Sequence, residues 1–71
     1  MRNKILREFL SDLHKEVIKN EISRRAIEKK IEKDPSLEEF FSKMLIDLSQ
    51  ELDSRMIQIE VTKEMLNETT N

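Results

Sequence analysis

A single proline, Pro35, stands at the midpoint of a chain of 71 residues that contains no glycine. Proline fixes its own φ, removes a backbone donor and pushes the residue before it out of the α region. The absence of glycine removes the other common helix breaker, and with it phosphate-cradling loops and tight hairpin turns. Regular structure on either side of Pro35 therefore meets no second stop of this kind.

The apolar spacing says what that structure is. After the proline, Leu37, Phe41, Met44, Leu45, Leu48, Leu52, Met56 and Ile59 recur at intervals of three and four, the period of one buried helix face. A helix is expected over about 36–66, with the polar tail 67–71 frayed. Before the proline, Leu6, Phe9, Leu10, Leu13 and Val17 form one stripe. Ile18, Ile22 and Ala26 then carry the apolar line round the helix, and Ile27 and Ile31 return to the first face. A helix over about 3–33, continuous through residues 20–23, is expected, because nothing there ends it. The turn falls at 34–35, with Ser36 and Glu39 spaced as a capping box for the second helix.

These elements make one all-α domain over residues 1–71, an antiparallel hairpin of two long helices. A chain this short buries a marginal core, and without cysteine it has no disulfide to reinforce it. Oligomerisation is the remaining device. A homodimer closing into a four-helix bundle is expected, with the Ile18, Ile22 and Ala26 face covered.

The formal net charge of −2 conceals a split. Residues 1–33 carry ten Lys/Arg against six Asp/Glu, and residues 34–71 carry three against nine. One reading is that outer charges of the two helices attract across the hairpin. The other is that Arg24, Arg25, Lys29, Lys30 and Lys33 form a patch for nucleic-acid phosphates. Interleaved Glu28 and Glu32, the acidic balance and the lack of Trp and Tyr weigh against nucleic acid. No apolar run approaches the roughly 18 residues of a membrane span, and no hydrophobic leader follows Met1, so no membrane association and a cytoplasmic location are expected. His14 is the single histidine, near Asp12 and Glu16 but without a ligand set around it, and no metal site is assigned.

A second stripe runs along the second helix. Ile46, Gln50, Asp53 and Ile57 step by four, three and four, placing a carboxamide and a carboxylate between two aliphatic side chains. Such a stripe is either an oligomer contact with polar neighbours or a docking face that presents Gln50 and Asp53 to a partner.

The pentapeptide Ser49-Gln50-Glu51-Leu52-Asp53 resembles the signature of the small aspartyl-phosphate phosphatases of the bacillus sporulation phosphorelay. Leu45 and Leu48 ahead of it also fit that family, and Met56 can stand where an aliphatic residue is usual. Arg55 stands where leucine is typical and Ile59 where tyrosine is frequent, and the first helix and the segment before the motif are longer. The resemblance covers about a dozen residues and implies a cytoplasmic helical hairpin that removes the phosphoryl group from a response regulator's aspartate. It implies a protein partner, the response regulator, and the stripe of Ile46 and Ile57 with Ser49 beside it is the surface expected to contact it. It also implies no cofactor of the chain's own, since the divalent metal belongs to the regulator. Gln50 and Asp53 are then the catalytic candidates, because an amide can accept from and donate to the attacking water while a carboxylate one turn on can bond the same water. The other class of function is a non-enzymatic, oligomeric helical interaction protein, of the plasmid or phage regulator kind, that binds a protein or DNA.

Overall fold

The computed structural model describes the backbone of residues 1–70 and the side chains of residues 1–68. Helix α1 covers Arg2–Lys33, a single 3₁₀ turn covers Pro35–Leu37, and helix α2 covers Glu38–Thr70. The two helices pack side by side as an antiparallel hairpin, and no strand occurs among the described residues. The molecule is a rod of 54 × 15 × 13 Å. Its radius of gyration is 16.3 Å, against about 11 Å for a compact domain of this length, so most residues touch solvent.

α1 runs unbroken through residues 20–23, as the lack of glycine and proline leads one to expect. It ends where Asp34, ahead of Pro35, takes the extended φ of −144° and ψ of 89°. Lys30 and Lys33 lie in its last turn, on the negative end of the helix dipole. Capping of the next segment differs from the expected Ser36–Glu39 box. Asp34 is the cap: its Oδ1 accepts from the Ser36 backbone N–H at 3.2 Å and from the Ser36 hydroxyl at 2.6 Å. An ionised carboxylate is the stronger acceptor, and the Asp-Pro order puts proline at the first helical position, where its missing N–H costs nothing. Replacing Asp34 by alanine is expected to lower stability by about 1 kcal/mol. A urea midpoint equal to the wild type would rule this cap out as a stabilising feature. At the far end α2 continues to Thr70 rather than stopping near Leu66, since no helix breaker follows; the Asn71 end of the expected frayed tail lies outside the described residues.

The seam between the helices keeps a strict alternation of three and four residues. On α1 it passes through Leu6, Leu10, Leu13, Val17, Asn20, Arg24, Ile27 and Ile31. On α2 it passes through Leu45, Leu48, Leu52, Arg55, Ile59, Thr62 and Leu66. This is the 3.5-residue repeat of a left-handed coiled coil. Among the described residues the only buried apolar side chains are Leu13, Ile27 and Ile59, each 4–6% exposed. Phe9, Met44 and Met56, expected in the core, are each about half exposed, because the 3.5-residue register passes them by.

Polar residues occupy seam positions instead. Asn20 is buried and its Nδ2 donates to the Leu48 carbonyl at 2.8 Å, tying the helices together near mid-length. Its Oδ1 is buried without a partner. Thr62, also buried, donates its hydroxyl to the Gln58 carbonyl one turn earlier at 2.7 Å. A lone amide in a coiled-coil seam fixes register at a cost in stability. Asn20→Leu is therefore expected to raise the thermal midpoint by several degrees, about 1 kcal/mol for a domain of this size, while loosening the alignment of the helices. Circular dichroism melting checks the first part; a lowered midpoint would show that the Leu48 bond outweighs the orphaned oxygen.

Candidate functional site

Because Leu48, Leu52 and Ile59 face α1, residues about half a turn away on α2 form the outer face of the rod. Ile46, Gln50, Asp53 and Ile57 lie there, and all four are exposed. Ile46 and Ile57 are 57% and 60% exposed, as are Ile5, Ile22 and Phe40 to a similar or greater degree elsewhere on the rod. They stand about 16 Å apart along the helix, with Gln50 and Asp53 between them as neighbours one turn apart. Ser49 is exposed beside this row, on one flank of the helix. Val61, 46% exposed, prolongs the row toward the C-terminus.

Within the pentapeptide the side chains differ in surroundings. Leu52 is half-buried in the seam. Glu51 lies on the other flank, 4.0 Å from the Arg55 guanidinium. Ser49, Gln50 and Asp53 have no hydrogen bond or ion pair among the described residues, so their polar groups are open to a partner. The arrangement offers a rigid helical edge with an amide and a carboxylate at its centre. It offers no enclosed cavity, and chemistry on this face requires the partner to supply the walls.

Of Arg24, Arg25, Lys29, Lys30 and Lys33, three share one face: Arg25, Lys29 and Lys33 step by four along the outer side of α1, while Arg24 and Lys30 lie off it. Arg24 sits half-buried at the seam and pairs with Glu28 at 3.8 Å. Lys30 stands over the Phe41 ring at 5.7 Å on one flank. Arg25, Lys29 and Lys33 point outward, with Arg25 held to Glu21 at 2.7 Å. The steps of four keep Arg25, Lys29 and Lys33 on one side, and the steps of one turn Arg24 and Lys30 away from it.

The expected attraction of outer charges across the hairpin is also not what forms. The four ion pairs among the described residues, at 2.7 to 4.0 Å, all join residues three or four apart on one helix. Most α1 cations lie on the side turned away from α2.

One groove was not anticipated. Phe9, Asp12, Leu13, Glu16, Arg55 and Gln58 line a shallow cavity of about 330 Å³ on one flank of the rod. Arg55 takes a seam position and lies across it, its guanidinium donating to Gln58 Oε1 at 3.3 Å while its Nε is buried without a partner. The signal for Arg55, as for Asn20 and Thr62, was the three-four register itself, which continues through these polar residues without a break. Among the described residues no group of three or more His, Asp or Glu side chains is placed to hold a metal ion, and no helix is long and apolar enough to cross a membrane.

Comparison with protein-family models, curated proteins and solved structures finds no match to this chain.

Proposed function

We propose that this chain is a regulator that docks on a response regulator through the outer face of α2 and promotes hydrolysis of its aspartyl phosphate. The observation that carries the reading is the joint exposure of Gln50 and Asp53 between Ile46 and Ile57 on a continuous helix. The resemblance of residues 49–53 to the sporulation phosphatases supplies the reaction, and the exposed row supplies the surface for it.

In that reaction the oxygen of a water forms the new bond to phosphorus as the bond to the aspartate oxygen breaks, leaving a free carboxylate and inorganic phosphate. Phosphoryl transfer of this kind is limited by positioning and charge. The Gln50 amide accepts from the water and turns its lone pair toward phosphorus. Asp53, one turn on, bonds the same water or a cationic group of the regulator. Ile46 and Ile57 anchor the helix on the regulator's surface, and Ser49 contributes a hydrogen bond at the margin. Ser49 is not the nucleophile, because no histidine or lysine base stands beside it on the helix.

The test is a panel of phosphorylated response regulators, the sporulation regulator included, with loss of phosphate followed in the presence and absence of the protein. Accelerated loss on one regulator supports the reading. No acceleration on any would leave the helical interaction protein as the function, with the same row as a purely structural contact.

A further inference from the structure

The outer faces of the two helices are opposite in charge and both carry exposed isoleucines. On α1, Ile18 and Ile22 are 56% and 62% exposed and lie about half a turn from the seam, among Lys15, Lys19, Arg25 and Lys29. On α2, Ile46 and Ile57 lie among Asp53, Glu60 and Glu64, with Lys43 beside Ile46, so the face is acidic on balance. Lys15 and Lys29 on the first face, and all three carboxylates on the second, make no ion pair among the described residues. Each face has what the other lacks.

We propose that the outer face of α1 receives the outer face of α2 from a second copy of this chain, so that hairpins associate side by side. The contact is heterologous: each copy uses one face to give and the other to receive. The two faces point in opposite directions, so a pair of copies cannot satisfy both, and association continues copy by copy. This differs from a closed four-helix bundle, in which the two contact faces of each helix meet roughly at right angles. The alternative of a two-fold pair over the grooved flank is disfavoured by charge. There Phe9 and Phe40 are separated by Asp12, Glu16, Asp47 and Glu51. Lys19 and Arg55 pair with Glu16 and Glu51, but Asp12 and Asp47 have no ion pair among the described residues, and a two-fold contact would crowd them with further carboxylates. Side-by-side association covers Gln50 and Asp53, so it would withhold that row from any other partner. The inference stands on the two faces and does not depend on the phosphatase reading.

Two variants isolate the faces. Ile18→Gln/Ile22→Gln removes the apolar part of the α1 face, and Ile46→Gln/Ile57→Gln that of the α2 face; all four positions are exposed, so helicity by circular dichroism should be unchanged. Sedimentation is measured from about 5 μM to about 1 mM protein. The wild type is expected to grow with concentration, and to associate at least about tenfold more weakly in about 500 mM salt than in about 50 mM. Each variant alone is expected to be monomeric, and an equimolar mixture is expected to form a one-to-one dimer that grows no further. A monomeric wild type at every concentration, a discrete dimer indifferent to salt, or a mixture that stays monomeric would each overturn the proposal. So would a monomeric wild type that instead co-sediments with phosphatidylglycerol vesicles, which would assign the basic face to a lipid surface.

Discussion

Replacing Ile59 by alanine is expected to leave a large fraction of the chain unfolded at 25 °C. Ile59 is 6% exposed and is one of three buried apolar side chains among the described residues. Truncating a buried isoleucine to alanine costs about 2–5 kcal/mol, through lost transfer energy and the space left behind. A single core in a chain of this size supplies rarely more than about 3–5 kcal/mol in total. The two quantities are comparable, so one truncation consumes most of the margin. Ile57→Ala, two residues away, is the control: its side chain is exposed, and the change should move stability by less than about 0.5 kcal/mol. Urea unfolding followed at 222 nm separates the two, at low protein concentration so that association adds no stability by mass action. Equal midpoints for the two variants would mean that the seam is not where the structure puts it.

Gln50→Ala should have the largest effect on activity and almost none on folding. If the amide positions the attacking water, its loss should slow regulator dephosphorylation by about 10²-fold, since a misplaced nucleophile forfeits most of the advantage of orientation. Asp53→Ala should cost about 10-fold to 10²-fold, in the range of a group that assists proton movement or pairs a charge. Alanine favours helix and neither side chain holds another in place, so circular dichroism and the urea midpoint should match the wild type within about 0.5 kcal/mol. Combined, these readouts separate a site from a scaffold. A Gln50→Ala protein that dephosphorylates at the wild-type rate would end the catalytic assignment, whatever Asp53 does.

The ion pairs give a smaller contrast. Arg25 and Glu21 are within 2.7 Å, but Arg25 is exposed, Glu21 only half-buried, and the two are one turn apart on the same helix. Such pairs contribute only a few tenths of a kcal/mol, so the charge pattern of α1 is better understood as a surface than as a source of stability.

Several features of the fold were written locally. Asp34-Pro35 ends one helix because the residue before proline cannot stay in the α region, and that is a property of two adjacent residues. The continuity of α1 through residues 20–23 follows from the absence of a breaker. The stepping of Ile46, Gln50, Asp53 and Ile57 places them on one side of any helix that contains them, and they do share a face. What the cap would be was less plain, because Asp34 and Ser36 are both good acceptors; the proline between them decided in favour of Asp34.

The tertiary structure decided the rest. Apolar residues at intervals of three and four fit a range of registers, and Phe9, Met44 and Met56 are as apolar as the residues that became the core. Packing two long helices over their whole length selects the 3.5-residue repeat, since only that repeat keeps one seam facing its partner turn after turn. That choice admits Asn20, Arg24, Arg55 and Thr62 to the seam on position alone and turns nearly half of the apolar side chains outward. It also settles that the basic side of α1 and the acidic side of α2 face away from each other rather than together. By itself the sequence determined two helices and where the chain turns, because those depend on neighbouring residues; which faces are hidden depended on contacts between residues far apart in the chain.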